Sequence, residues 1–431
     1  MNIRIFAIFL CLCVLLGGCQ SENLVEEKKE ITILYSSTAD FYKDYGFVID
    51  KFKDIEFRVV EFTPQLGKGV WKAMKYVPAS NKDWDSELYL KLVRDTKPDI
   101  LFFPSSIYSS LLNQNMLTDV SQYVNEGNFN GINSNITEAI KEMGNGSLYA
   151  LADTTSSQAL FYNKEVFEKY GISEPTNQMT WESVLELAER FPSDGKITGL
   201  YLPFYDAADL LLVMGKAEGL KWYDSLNKTV LFDNPSWRTI LDKTITFYKH
   251  GSGNSGDDVL SELFMNGQIA MTLNTYHFTK ELERSTKKVN WQVVSEPVDP
   301  NNPGVSHTIN FQYLNGIYVE TDDTENSQAI WSYINSEEAA RLKNNLASSL
   351  FTQPVRESLI SDDDNRNYKA FYQLKPKVLN ELNRIPLSIE NAVLGAINNI
   401  LQPAINNELT IDQVVQKLQE DIQNVIQANN P

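Results

Sequence analysis

Cysteine is all but missing from this chain of 431 residues: Cys11, Cys13 and Cys19 are the only three, and none follows. No disulfide can staple the chain beyond residue 19, so packing must hold the fold. Basic charge is also short. Lys and Arg number 38 against 56 Asp and Glu, a formal charge of −18. That balance argues against nucleic acid or an anionic membrane surface as a partner, since both need basic surface. The three histidines, His250, His277 and His307, show no zinc-ligand spacing. No G-x-S-x-G elbow occurs. Gly251 to Gly256 fits G-x-G-x-x-G, but it follows a helix-like stretch and precedes Asp257 and Asp258, so it reads as a loop. Asp362 to Asn365 suggests calcium, yet Asn367 and Gln373 stand where such a loop needs Gly and Glu. Neither a metal nor a cofactor is expected. With 56 acidic residues, a pair of carboxylates could always be proposed, so their abundance is no argument for a glycosidase. Long apolar runs are missing too. Ile5 to Leu16 is twelve residues, short of the about 20 that a spanning helix needs.

That short run belongs to an export signal. Arg4 supplies its positive end and Gly17-Gly18 the small residues before a cut. Leu16-Gly17-Gly18-Cys19 resembles the lipobox of bacterial lipoproteins, which implies a signal peptide over 1–18 and a lipidated Cys19. Two acyl chains would anchor the protein stably on the outer side of the cell membrane, where one chain binds only marginally. The alternative is an ordinary secretory signal, which leaves an odd exported cysteine unexplained. Cleavage removes Arg4 alone among the charged residues, taking the formal charge from −18 to −19. Residues 19–30 are polar and acidic without apolar periodicity, and read as a flexible tether. The remainder is globular in composition, 42% hydrophobic and 22% charged. Its length favours two lobes, because single cores stop growing at about 250–300 residues.

Strands alternate with helices along the chain. Ile31–Tyr35 and Ile55–Phe62 read as strands flanking an approximately helical spacing of Tyr42, Tyr45, Phe47, Val48 and Phe52. Residues 63–81 form a less regular insertion with Trp71; Trp84 follows, and both indoles are read as filling structure. A helix ends before Pro98, and Asp99–Phe103 suits a buried parallel strand. Gly146–Ala152 reads as a hairpin arm. Ala159–Tyr162 is a strand, then a helix starts at Asn163 and closes at Gly171. Thr180 is placed as the N-cap of the next helix. Thr410 and Gln413 make a capping-box pattern ahead of the stripe Val414, Leu418, Ile422 and Val425. The alternation favours an α/β architecture with open sheets.

Six collinear segments carry a resemblance. They are Pro98-Asp-Ile-Leu with Met116-Leu-Thr-Asp-Val, Leu148-Tyr-Ala-Leu with Phe161-Tyr-Asn-Lys-Glu-Val-Phe, Thr180-Trp-Glu-Ser, Phe264-Met-Asn-Gly-Gln-Ile-Ala-Met, Gln353-Pro-Val-Arg and Leu409-Thr-Ile-Asp-Gln-Val. In this order the chain resembles the family 1 extracellular solute-binding proteins, the maltose-binding-like receptors of ABC importers. The resemblance implies a periplasmic-binding-protein type II fold, with two α/β lobes, a hinge and a cleft between them. One lobe would take 31–155 and 305–352, the other 156–304 and 353–431, with crossings near Asp153–Ser157 and Asn302–Ser306. It also implies a monomer that binds a solute, with a mono- or oligosaccharide expected, and passes it intact to ABC permease subunits, with no enzymatic activity. Rival readings are a receptor of the same fold for another solute or for a sensor kinase, and an extracellular glycan hydrolase.

For the cleft, the family's pattern implies stacking rings at Phe103 and Tyr108 after the Pro98 strand, and at Tyr205 in the Pro203–Asp206 loop. Tyr276 follows the Ile269-Ala-Met strand, where relatives commonly carry a tryptophan that this chain lacks. Rings pack on the C–H faces of a pyranose while carboxylates and amides grip its hydroxyls. Asp153, Asp206, Asn274 and Gln312 are the polar candidates on that basis.

Overall fold

The computed structural model describes residues 29–62, 86–125, 129–192, 195–203, 205–224, 226–249, 260–346, 352–360, 365–377 and 387–429. The export signal, Cys19, Trp71, Trp84, the Gly251–Gly256 motif and Asp362–Asp364 lie outside them.

The strands are β1 (Lys29–Tyr35), β2 (Ile55–Glu61), β3 (Ile100–Phe103), β4 (Thr154–Thr155), β5 (Gln158–Asn163), β6 (Thr198–Tyr201), β7 (Tyr223–Asp224), β8 (Thr229–Val230), β9 (Ile269–Thr275), β10 (Trp291–Ser295), β11 (Val305–Ser306), β12 (Leu314–Ile317), β13 (Gln353–Pro354) and β14 (Lys375–Pro376). Two four-stranded sheets organise the molecule, in the orders β12-β3-β1-β2 and β10-β5-β9-β6. In the first, β2, β1 and β3 run parallel and β12 closes the edge antiparallel, Leu314 opposite Phe103. In the second, β6 and β9 are parallel and β5 runs against β9, with Gln158 opposite Thr275.

Local chemistry sets the ends of the helices. Ser37 caps helix Thr38–Lys51 by accepting from Asp40 N. Asn163 caps helix Lys164–Tyr170, which Gly171 closes at φ 64°, a left-handed value that glycine adopts without Cβ strain. Thr180 accepts from Ser183 N and starts helix Trp181–Glu189. Gln413 Oε1 accepts from Thr410 N at 2.9 Å, completing the C-terminal capping pattern. Residues 146–152 form no hairpin arm. Leu151 instead makes an isolated bridge to Asn315, because the segment is drawn onto the edge of β12.

Alternation in β5 and β10 splits the second sheet between two cores. Leu160, Tyr162 and Val294 face helices Ala207–Ala217, Pro235–Lys249, Leu387–Ile405 and Ile411–Asn429. Phe161, Trp291 and Val293 face the other way and join the core of the first sheet through Phe371. In the last helix Ile426, rather than Val425, completes the buried stripe.

The chain passes between the sheets more than once. Short pairings bind these passages together: β4 with β13, β11 with β14, and Ser156 with Asn310.

Candidate functional site

Ligands of open α/β sheets bind beyond the carboxyl ends of the parallel strands. Those ends are Tyr35, Glu61 and Phe103 in the first sheet, and Tyr201 and Thr275 in the second. One passage, residues 307–313, touches both edges. At its far end the Tyr313 ring lies 6.2 Å from Tyr35 and 6.0 Å from Phe62. At its near end Thr308 Oγ1 accepts from Gln158 N at 3.0 Å, on the strand end opposite Thr275. The space flanked by these edges is the candidate site.

Its first wall is acidic and aromatic. Asp44 accepts the Tyr35 hydroxyl at 2.9 Å, and Asp40 accepts Ser37 Oγ at 2.7 Å. Glu61 accepts from Thr38 N at 2.7 Å, and that bond holds its carboxyl below the usual range. Burial, with Asp40 and Asp44 nearby, raises the Tyr313 phenol above its ordinary value, so it stays a neutral donor.

The second wall centres on Tyr205, which is half-buried. Its hydroxyl donates to Gln158 Oε1 at 2.6 Å, its ring lies edge-on to Trp181 at 6.1 Å, and its carbonyl accepts from Tyr248 at 2.7 Å. Glu296 lies just beyond β10, 3% exposed, and accepts from His307 N at 2.9 Å. Burial raises the Glu296 carboxyl, against hydrogen bonds from Ser306, Thr308 and His307. Burial, with Lys377 and Lys216 nearby, lowers His307 to about 4, so it is neutral at physiological pH.

The residues expected from sequence divide sharply. Tyr205 and Gln312 lie half-buried at the site, Gln312 beside Tyr313 on the passage. Phe103, Tyr108 and Tyr276 are core side chains instead. Phe103 and Tyr108 are 0% exposed and stack on each other at 5.8 Å, and the Tyr108 hydroxyl accepts from Tyr149 N. Tyr276, 3% exposed, is set edge-on to Phe371. All three rings are enclosed, Phe103 at the end of β3 and Tyr108 and Tyr276 at the starts of helices Tyr108–Asn113 and Tyr276–Arg284.

Asp153 is likewise committed elsewhere. Its Oδ2 accepts from Tyr45 at 2.6 Å and from Lys343 Nζ at 2.6 Å, while the ammonium sits 4.1 Å from the Tyr45 ring centroid. Burial pushes that carboxyl up, but Lys343 outweighs it and holds it below the usual range. Asp206 is the N-cap of helix Ala207–Ala217, in a reciprocal capping box with Asp209, and it accepts from Asn398 at 2.7 Å. Asn274 is 5% exposed, its Oδ1 turned back on Thr275 N.

Sequence reasoning did not single out Gln158, Thr308, Glu296 or Tyr313. Only Gln158 carried a signal, as the polar residue opening the apolar run of β5.

A cavity of about 610 Å³ lies at the opposite end of β5, lined by Tyr162, Lys164, Gln292, Arg366 and Tyr368 among others. Its polar groups are engaged. Tyr162 and Lys164 meet Glu174, and Arg366 lies over Trp291. Among the described residues no group of three or more His, Cys, Asp or Glu is placed to hold a metal ion. No described helix is long and apolar enough to cross a membrane.

Residues 74–371 match the family described as bacterial extracellular solute-binding protein. Solved structures share the fold over more than nine tenths of this chain. A sugar transporter from Rhizobium etli in an open conformation aligns at TM-score 0.59 and 16% identity, covering 91% of this chain and 99% of that one. The sugar-binding protein MalE from Xanthomonas citri aligns at TM-score 0.60 and 12% identity, covering 93% and 98%. An ABC substrate-binding protein from Listeria monocytogenes in complex with cycloalternan aligns at TM-score 0.53 and 17% identity, covering 93% and 100%. These neighbours have the two-lobed periplasmic-binding-protein fold that the sequence led us to expect, and they are binding proteins rather than enzymes.

Proposed function

We propose, because this chain belongs to the bacterial extracellular solute-binding protein family, that it captures a carbohydrate between its two lobes and delivers it unchanged to an ABC permease. One observation carries this reading: a single passage, 307–313, joins the carboxyl edges of both sheets, with Tyr205 and Gln158 on one side and Tyr313 and Tyr35 on the other. Rings suit the C–H faces of a pyranose, and Gln158, Gln312, Asp40 and Asp44 suit its hydroxyls. The Listeria relative is solved with cycloalternan, which supports a glycan class.

Contacts from both walls form only when the lobes close, so solute shifts the population toward the closed form. Moving it from 1:99 to 99:1 takes about 5.5 kcal/mol of differential affinity, within reach of a few rings and hydrogen bonds. The permease would read the closed form. A diacylated Cys19 would keep the receptor at the membrane face through a tether shorter than the sequence suggests, because Lys29 and Glu30 already pair with Ile55 and Glu56 in the first sheet. The proposed lobes are 31–155 with 305–352, and 156–304 with 353–431.

A thermal-shift screen of mono- and oligosaccharides on residues 24–431 tests the reading. A hit confirmed by calorimetry, with the sugar recovered intact, is the expected result; turnover of the sugar would overturn it.

A further inference from the structure

Tyr205 stands at one end of a hydrogen-bond chain that leaves the site and ends on a buried carboxylate. Its hydroxyl donates to Gln158 Oε1 at 2.6 Å, and Gln158 N donates to Thr308 Oγ1 at 3.0 Å. Thr308 N and His307 N donate to Glu296 Oε1 at 3.4 and 2.9 Å. Ser306 Oγ tightens the same turn, accepting from Thr308 N at 3.2 Å and from Ile309 N at 2.9 Å. Four separate parts of the sequence therefore meet around a side chain that is 3% exposed.

Glu296 makes no ion pair among the described residues. The charged groups around this cluster are Lys377, Lys216 and Asp299 near His307, and Asp209 near Tyr205. A carboxylate buried without a cation has to be met by hydrogen bonds. Here those bonds come from backbone N–H groups of the passage between the sheets.

We propose that Glu296 is a positioning residue of the solute site. It fixes the course of residues 306–308 and, through Thr308 and Gln158, the tilt of the Tyr205 ring, so that solute contact and lobe closure are coupled through one chain of groups. The proposal rests on the carbohydrate reading for its purpose, but its geometry can be tested without any solute.

Two variants of the full chain act at different links: Glu296→Gln keeps the shape but replaces the carboxylate acceptor by a weaker amide oxygen, and Thr308→Val removes the hydroxyl. The first readout is the Trp181 indole N–H resonance in the solute-free protein, because Tyr205 lies edge-on to that ring. The second is amide exchange at Gln158, His307 and Thr308. Both variants should move the Trp181 resonance and speed Gln158 exchange by about tenfold, with the double variant no worse than either single one, as expected for groups acting as a unit. Loss of protection confined to 306–308, with Trp181 and Gln158 unchanged, would reduce Glu296 to a local turn cap and overturn the proposal.

Should Glu296→Gln fail to fold, Thr308→Val decides alone. Titration with maltose provides a separate arm, in which affinity should fall about tenfold in each variant if wild type binds. A wild type that binds none of the mono- and oligosaccharides screened, while the Trp181 resonance still moves in the variants, refutes the carbohydrate reading and leaves the positioning role standing.

Discussion

The buried contact of Lys343 with Asp153 sets the largest single-residue effect expected here. Both side chains are nearly enclosed, 13% and 7% exposed. Removing one partner of such a pair strands the other, at about 3–5 kcal/mol. Lys343→Met should therefore lower the urea midpoint strongly. It should also raise the pH of acid unfolding: a carboxyl held low when folded gives stability that is present above the unfolded value, ~3.9, and lost as pH falls through the folded one. Asp209 runs the other way. Burial, with Asp206 beside it, raises its carboxyl to about 7, so its contribution is present below ~3.9 and lost as pH rises toward 7. Asp209→Asn, which can still accept from Asp206 N, should flatten the thermal stability profile between pH 4 and 7 and stabilise the protein above it. Tyr276→Ala should cost about 3 kcal/mol or more of stability as a core truncation, whereas Tyr205→Ala should mainly weaken solute binding by calorimetry. Single residues were the least legible scale. Phe103 ends a strand and Tyr276 follows one, where a family pattern suggests exposure, yet which way such a side chain turns is decided by packing that no local sequence encodes.

Elements were far easier to read, because caps and periodicity are local. Gly171, Thr180, Asn163 and the Thr410–Gln413 pair each act within four residues of themselves, and each does what its chemistry suggests. The hairpin arm at 146–152 failed for the converse reason: its partner, Asn315, is far away in sequence. Thr180→Ala should cost about 1 kcal/mol by denaturant unfolding, the usual loss for an N-cap. Gly215 makes a different element-level point. A Cβ there would stand 2.0 Å from the Trp237 indole, so helix Ala207–Ala217 and helix Pro235–Lys249 meet only because position 215 has no side chain. Gly215→Ala should lower the melting temperature despite alanine's better helix propensity.

At the scale of the whole molecule, alternation of strands and helices indicated open α/β sheets, and motif order indicated two lobes. The mixing of cores was not legible: one face of the second sheet joins the core of the first through Phe371, a residue from a passage with no strong pattern of its own. Closure is a property of this scale. A saccharide that binds should reduce the radius of gyration measured by X-ray scattering, and an unchanged radius at saturation would count against lobe closure. Cys19→Ser should release the protein from membranes in cell fractionation while leaving its affinity intact; persistent association would exclude the lipid anchor.

The edge strand β12 has a consequence for biogenesis. It completes the first sheet by pairing Leu314 with Phe103, so a ribosome must have made about three quarters of the polypeptide before that sheet can finish. Until then β3 has an unpaired edge, open to wrong partners. Slow completion of this kind prolongs the exposure of that edge, and products truncated before residue 314 should be prone to aggregation and proteolysis.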